Sequence, residues 1–491
     1  YSNGALSGIN WERACSAELI FSDGTEGFAI NSGIRIQGQT STDPNWKSPK
    51  LSMRLLFKNE YGPSHLEFPL YPDSSVHSFD TLVLDARLNQ TWIHPWDLGQ
   101  RIRAQYLRDQ FMSDAQIAMG HLSSHGRYVH LFLNGLYWGL YDIHERPDEH
   151  FHSDYLGGVD EDYDVIRHNP FDVVSGSNNG YTEMLTIARG DLSSPAQYNE
   201  LKQFLEIVPF IDYMILNFWA GNDDWAHKNW YAGRNRIDGS GFRYFSWDAE
   251  HTLKNVLENV VLKNDFGGPT ELLQRLKQND EFLILFADRV QKQLFNEGVL
   301  TPKGAWSLYE KRADEIDPAI ILESARWGDH RRDHHPVGGP YDLYTRDIHW
   351  VNELNRLRDT YFPFRTGIVL NQLRAAGLFP DLDAPMFEVN GSPQHGGSVW
   401  EGERLVILNP NQSGTIYFTI EGSDPRVEGG GILDGALPFS APIVLTSDTV
   451  VRARVFGGSK WSALAEAEFK LNPGPRPTQI ELDVSNWWMY D

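Results

Sequence analysis

Asp224 and Asn229 share one short segment, Asn222-Asp-Asp-Trp-Ala-His-Lys-Asn-Trp-Tyr231, and Asp248 ends a second, Phe242-Arg-Tyr-Phe-Ser-Trp-Asp248. A strand-like run leaves the first segment at Trp230, turns at Asp238-Gly-Ser-Gly241 and returns to Asp248. Gly-rich turns of this length join neighbouring antiparallel strands. The spacing therefore predicts a hairpin that carries Asp248 back to the loop holding Asp224 and Asn229. Two carboxylates and an amide oxygen at one hairpin mouth suit a divalent cation and a hydroxyl nucleophile, the set that metal-assisted phosphoryl transfer uses. In that chemistry Asp224 accepts or orients the proton of the attacking hydroxyl, while Asn229 and Asp248 hold Mg²⁺ or Mn²⁺ across phosphates. The structural alternative makes Asp224 a turn residue, Asn229 a strand cap and Asp248 the cap of the next helix. On spacing alone that alternative leads, because Asx residues favour turns.

Further residues suited to phosphate lie near the start of the chain. From Lys50 to Lys58, Leu51, Met53, Leu55 and Phe57 alternate with Ser52, Arg54 and Lys58, the period-two signal of a half-buried strand. Lys50 can reach phosphate as a point charge, although lysines usually end up solvated; Lys47 competes for the role. Arg54, on the polar face of the same run, joins Lys50 as an expected phosphate contact. Gly38-Gln-Thr-Ser41 offers a flexible, hydroxyl-bearing loop ending in Ser41, without a full Gly-rich fingerprint. A second polar cluster, Asp329, His330, Asp333, His334 and His335, has ligand types suited to metal. It is flanked by Gly328 and Pro336-Val-Gly-Gly-Pro340, which favours a solvated loop. Asn89, Asn390 and Asn411 open Asn-x-Ser/Thr triplets, a pattern short enough to arise by chance.

Composition narrows the partners. The 491 residues suffice for two or three domains. With 43 basic against 66 acidic residues the net charge is -23, which argues against non-specific nucleic-acid or anionic-membrane binding. Cys15 is the only cysteine, excluding intrachain disulfides and thiolate zinc sites. No run is long and apolar enough for a transmembrane helix. The sequence begins at Tyr1 rather than Met, so trimmed boundaries are expected, and a removed signal peptide is compatible with them.

Positioning these residues requires two lobes. Strand signals at Glu18–Phe21, Phe28–Gly38 and Lys50–Lys58, and a hairpin across Tyr128–Tyr141 turning at Asn134-Gly135, make the first part strand-rich. One helix is expected from Asp97 to Met112 and a long one from Ser194 to Ala220. Helices are also expected at Glu271–Gln278, Asp280–Phe295, Pro302–Ser324 and Arg346–Ala376. A strand-rich and a helical lobe would leave a cleft between them. Beyond Phe379-Pro-Asp-Leu-Asp-Ala-Pro385 the helical signal stops. Val406–Leu408, Thr415–Ile420, Ile443–Leu445, Thr449–Phe456 and Ala465–Leu471 then read as the strands of a small Ig-like β-sandwich. Asn472-Pro-Gly-Pro-Arg-Pro-Thr478 reads as a stiff linker into a tail with Trp487-Trp488.

Taken in order, these pieces resemble the spore coat protein H (CotH) family of atypical protein kinases. The resemblance runs from about Gly33 to about Gly377. It rests on Gly33-Ile-Arg-Ile-Gln-Gly-Gln-Thr-Ser41, Lys50-Leu-Ser-Met-Arg-Leu-Leu-Phe57, Leu133-Asn-Gly-Leu-Tyr-Trp-Gly-Leu-Tyr141 with Glu145, Asp224 with Asn229, and Ser246-Trp-Asp248. It implies an α+β fold with a two-lobed kinase-like domain. The strand-rich lobe would cover about 1–145 and the helical lobe about 146–383, followed by a sandwich over 384–472 and a tail over 473–491. It also implies transfer of the γ-phosphoryl of ATP to serine or threonine of a protein substrate. Lys50 would hold ATP phosphates, Asp224 would be the catalytic carboxylate, and Asn229 with Asp248 would hold Mg²⁺ or Mn²⁺. Glu145 would either face the nucleotide or pin Lys50. Where the family commonly shows Trp-Asp-x-Asp, this chain has Trp247-Asp-Ala-Glu250, which makes Glu250 the second metal acid and bears on activity. Asp223, beside Asp224, competes as the base.

The last domain resembles the C-terminal β-sandwich of chitobiases and hexosaminidases through Tyr417-Phe-Thr-Ile-Glu-Gly-Ser-Asp-Pro425 and Val451-Arg-Ala-Arg-Val-Phe456. That implies a secreted or surface protein of a bacterium, with a glycan or cell-envelope contact through the sandwich. Two other readings stand beside the kinase. One is an inactive, pseudokinase-like scaffold or glycan-binding surface protein. The other, with less support, is a glycoside hydrolase using paired carboxylates.

Overall fold

The computed structural model describes residues 8–474 apart from 39, 47, 337, 338 and 340, so Lys47 and the Trp487-Trp488 tail lie outside the described residues. The chain folds as two units. The first takes Tyr1–Asp280 and Gln293–Ala376, the second Glu281–Lys292 and Gly377–Asp491.

The first unit opens with β1 (Arg13–Leu19), β2 (Phe28–Ile36) and β3 (Met53–Leu56). A two-strand ribbon of β4 (Leu66–Glu67) and β5 (Ser78–Phe79) precedes β6 (Thr81–Asp85). Helices α1 (Leu98–Ile102) and α2 (Arg108–Ala118) separate β6 from the hairpin of β7 (Gly126–Leu133) and β8 (Leu136–His144). The six long strands form one antiparallel sheet in the order β1-β2-β3-β6-β8-β7. Its register explains the alternation read from the sequence. Leu55, Leu82, Leu84, Tyr141 and Ile143 point into one apolar core. The opposite face carries Arg35 paired to Arg54 in one row, and Asp85 paired to Asp142 in the next.

The turn between β7 and β8 is the expected Asn134-Gly135, both with positive φ (49° and 77°), which matches the twist of the strands it joins. The helix expected over Asp97–Met112 is instead two. Asp97 caps α1 through the Gln100 amide, but the chain breaks before α2, with Tyr106 at φ 63°, outside the helical region.

The rest of the unit is built around a second sheet. After α3 (Glu149–Leu156) come β9 (Tyr163–Arg167), β10 (Val173–Ser175), α4 (Asn179–Ala188), α5 (Pro195–Leu201) and α6 (Ile207–Ala220). The single helix expected over Ser194–Ala220 is therefore also two. Pro209 offers no N–H for the carbonyl four residues before it, so it fits only a first turn. The freed segment pairs Leu205 with Phe242 instead. Then β11 (Trp230–Asn235) and β12 (Arg243–Ser246) form the expected hairpin, Trp230 opposite Ser246, in a sheet ordered β10-β9-β11-β12. The helices α7 (Pro269–Leu276), α8 (Asp280–Leu294), α9 (Pro302–Trp327), α10 (Val351–Arg356) and α11 (Phe362–Ala375) complete the series. Wider π-type turns at Arg346–Trp350 and Leu357–Tyr361 interrupt the span read as one helix.

The second unit is β-rich. One sheet orders the strands Ser392–Pro393, Met386–Val389, Arg404–Leu408 and Ile443–Val444; the other orders Gly397–Val399, Ala465–Leu471, Thr449–Gly457, Thr415–Thr419 and Leu437–Pro438. The unit also takes in Glu281–Lys292, the central part of α8. The α+β class read from the sequence is the observed one.

Candidate active site

The loop that carries Asp224 starts where α6 stops. Gly221 ends the helix in the left-handed conformation (φ 61°), and a Cβ there would meet Glu258 Cβ at 3.0 Å; glycine suits both demands. The loop is braced from behind. Trp225 is fully buried and donates to the Tyr213 hydroxyl at 2.7 Å, Trp230 donates to the Ala226 carbonyl at 2.9 Å, and Lys263 Nζ donates to the carbonyls of Asp223 and Trp225.

On this loop the Asn229 amide nitrogen donates to the Asp224 carbonyl at 3.0 Å and to Asp224 Oδ2 at 3.2 Å. Its backbone N–H donates to His168 Nδ1 at 3.0 Å. The nitrogen is committed to Asp224, which leaves the amide oxygen of Asn229 as its remaining acceptor. Asp224 also faces Lys228 at 3.1 Å and His227 at 3.6 Å. Asp223 points elsewhere, to Lys254 and His251. Of the two neighbouring acids, Asp224 is the one beside Asn229.

The hairpin returns Asp248 to this place. Asp248 adopts φ 53° and is exposed as a residue, although its carboxyl lies among other protein groups. That crowding, followed by the charges of Asp109, Asp85 and Asp224, holds its carboxyl above the ordinary range. Glu250 is buried, and burial followed by the charge of Asp248 pushes it up as well. Glu250 Oε2 accepts from the Asn89 amide at 2.7 Å, while Oε1 is buried without a hydrogen-bond partner. A buried carboxylate with an orphaned oxygen beside a second acid is compatible with a bound cation. Among the described residues no three His, Cys, Asp or Glu side chains form a ready-made metal site.

A second layer supports these groups. Arg87 donates to Asp85 at 3.1 Å and to Asp109 and Asp142. Asp109 also accepts the Ala249 N–H at 2.6 Å, tying α2 to the segment after Asp248. Asp85, Arg87, Asn89, Asp109 and Asp142 did not emerge as site residues from the sequence. Asp85, Arg87 and Asn89 did carry a signal, since they alternate at period two in the run that leaves β6. The amide of Asn89, matched as a glycosylation acceptor, is bound to Glu250.

Lys50 is fully buried. Its Nζ donates to Glu323 Oε1 on α9 at 2.7 Å and lies 5.1 Å from the ring centres of both Tyr106 and Tyr141. Glu323 Oε2 accepts the Leu140 N–H at 2.8 Å. The Asn-Gly-x-Tyr-x-Gly-x-Tyr string is thereby explained. Asn134-Gly135 turns the hairpin, Tyr141 covers Lys50, and Gly139 leaves the pair its space. A Cβ at Gly139 would stand 2.8 Å from both Glu323 Oε2 and Trp327 Nε1.

Glu145 does not pin Lys50. It accepts from the His125 N–H at 2.8 Å, shares 2.9 Å with His125 Nδ1 and accepts from the Tyr155 hydroxyl at 2.8 Å. Glu323, 273 residues from Lys50 in the chain, has no short-range signal that could have revealed it. Arg54 donates to the Gln37 side chain at 2.9 Å, and Ser41 lies half-buried in a short turn at Thr40–Thr42. The structure thus gathers Asp224, Asn229, Asp248 and Glu250. It encloses Lys50 with Glu323 and gives Glu145 other partners. The Asp329–His335 segment contains a helical turn rather than being all loop; Asp333 and His334 are solvated as expected, while Arg331 is buried against the carbonyls of Ile93 and Trp46.

Residues 34–362, more than half of the chain, match the CotH kinase protein family. The chain belongs to the CotH kinase family. Residues 405–465, within the β-rich unit, match the Fn3 associated domain, so this CotH chain carries a β-domain after its kinase-like domain. No curated protein matches the chain. The loop, hairpin and Lys50 motifs all lie within the CotH match. CotH membership carries with it a kinase-like domain and, in general, the use of a nucleotide with a divalent metal. Among the described residues no helix is long and apolar enough to cross a membrane.

Proposed function

We propose that this CotH domain binds ATP with Mg²⁺ or Mn²⁺ and transfers the γ-phosphoryl group to a serine or threonine hydroxyl of a protein substrate. The observation that carries the reading is the meeting of Asp224 and Asn229 with Asp248 and Glu250, whose crowded carboxylates a cation would relieve. Asn229, through its amide oxygen, with Asp248 and Glu250 would hold the metal, which when bound supplies positive charge against the phosphates. Asp224 receives the proton of the acceptor hydroxyl as its oxygen bonds to phosphorus and the bond to the ADP oxygen breaks. Lys228 and His227 steady the Asp224 carboxylate. Arg87 holds Asp85, Asp109 and Asp142 together behind the proposed metal ligands, and Asp109 in turn holds the Ala249 N–H beside Asp248.

The test uses purified protein, labelled ATP and Mg²⁺ or Mn²⁺, with exported proteins as acceptors. Asp224→Asn and Asp248→Asn are expected to lower transfer by about 10²-fold or more. Label transferred equally by wild type and both variants would overturn the assignment.

A second reading has its own observation. Asn89 already occupies one oxygen of Glu250, which suits a scaffold that binds nucleotide without turning it over. Binding of ATP by wild type with no transfer to any acceptor would favour that scaffold. We also propose a secreted or surface location in a bacterium, which rests only on the resemblance of the sandwich sequence to the C-terminal module of chitobiases and hexosaminidases. The same module is the candidate contact with glycan or cell envelope, testable by glycan-array binding of the whole chain.

A further inference from the structure

Four arginines from separate stretches of chain meet at one opening. Arg35 lies on β2, Arg54 on β3, Arg146 just after β8 and Arg167 at the end of β9. With Glu149 and Asp172 they line a cavity of about 300 Å³. In a chain with 23 excess negative charges, such a cationic cluster is a local exception that calls for a reason.

The cluster is under-compensated. Arg35 and Arg54 are direct cross-strand partners, and like charges at such positions repel. Arg54 donates to the neutral Gln37 side chain, and the nearest carboxylate to Arg35 is Glu12 at 3.8 Å. Arg146 has Asp148 at 3.3 Å, and Arg167 has Asp172 at 2.9 Å. Burial, then the charges of Arg146 and Arg35, holds the Arg54 guanidinium down to about 9.

The opening also adjoins the carboxylate site. Arg146 Nε donates to the Tyr231 hydroxyl at 3.0 Å. The Tyr231 ring stands 4.9 Å from that of Trp247, the residue before Asp248. Arg167 precedes His168, which accepts the Asn229 N–H.

Resting on the kinase reading, we infer that Arg35, Arg54, Arg146 and Arg167 form the cradle for the phosphate chain of the nucleotide, the role the sequence suggests for Lys50. Guanidinium forks match phosphate oxygens in pairs, and a set of them suits a linear polyanion. Lys50 has no exposed surface and its charge is already neutralised by Glu323, so it acts as a positioning residue that fixes β3 and β8 to α9.

The experiment is calorimetric titration of the full chain with Mn²⁺ and either ATP or tripolyphosphate, a probe without a base. Wild type is expected to bind both. Arg54→Gln and Arg35→Gln should each weaken both ligands about tenfold or more, with Arg54→Lys between and Arg358→Gln, a surface change, without effect. Arg35 is a quarter exposed, so its variant keeps the test open if Arg54→Gln misfolds, which circular dichroism would reveal. If the arginine variants bind ATP like wild type and only the Michaelis constant for the acceptor rises, the cradle is wrong and the kinase reading stands. If wild type binds tripolyphosphate, loses it with the arginines and ignores ATP, the arginines are a polyphosphate site, and both the nucleotide cradle and the nucleotide reading fail. If wild type binds neither ligand, both fall.

Discussion

Lys50 shows how one residue type can carry the right expectation for the wrong partner. A lysine beside β3 was legible from the sequence; its partner Glu323 was not, because the two meet only when α9 packs on β8. The pair is a buried ion pair with both side chains almost without solvent contact. Removing one member of such a pair leaves an uncompensated charge, at a cost of about 3–5 kcal/mol, whereas replacing both by apolar groups is often neutral. Lys50→Met should therefore lower unfolding free energy by that amount in urea titrations, and Lys50→Met with Glu323→Leu should restore most of it. If the double variant stays as unstable as the single one, the pair does more than satisfy itself. The glycine at 139 belongs to the same argument, since the string containing it was readable while the reason for it, space for the Glu323 carboxylate, became visible only in the packed structure.

Among the elements, strands and hairpins were read more surely than helix lengths. Alternation in Lys50–Lys58 and the turns at Asn134-Gly135 and Asp238–Gly241 are local signals, and the sheets follow them. Two of the three helices read as continuous are broken by tertiary pairing and backbone conformation that hydrophobic spacing does not report, at Tyr106 and at Leu205. Helix α3 carries a consequence of its packing. His152 is buried against Phe151, Tyr163 and Phe245 and shares 2.6 Å with the Asp148 carbonyl through Nδ1. The groups facing it are Asp148, which raises its pKa, and Arg243, which lowers it; burial dominates and holds it down to about 4 from 6.5. A histidine depressed on folding is neutral in the native state. Its contribution is intact above pH 6.5 and is lost as pH falls from 6.5 toward 4, on the order of 3 kcal/mol in all. Urea midpoints measured across that window should fall with pH in wild type and fall less in His152→Gln, whatever the starting stability of the variant. Parallel slopes in the two proteins would assign the acid sensitivity to other groups.

For the whole molecule, periodicity changes from helical to strand-like near residue 380, but the membership of the second unit could not be read from it. That unit includes Glu281–Lys292, a stretch of α8 far earlier in the sequence. Periodicity marks α8 as a helix and says nothing about which core its side chains join. Arg454 shows what the stretch supplies: its guanidinium is almost fully buried, donates twice to Asp288 and twice to Asp424, and also reaches the Ser462 carbonyl at 2.9 Å. Arg426 makes the matching pair of bonds to Glu281. A fragment starting at Gly377 would keep Arg454 and Arg426 but lose Asp288 and Glu281, leaving a buried guanidinium half-paired. Such a fragment is expected to unfold without a sharp transition, while the same strands melt cooperatively in the full chain. Within the full chain, Asp288→Ala should cost about 3 kcal/mol or more, read by hydrogen exchange as lost protection in Thr449–Gly457 and Ala465–Leu471 with β9 and β11 unchanged. A Gly377 fragment that folds as sharply as the full chain, or an Asp288→Ala variant with unaltered exchange, would mean that the sandwich holds itself together without the helix.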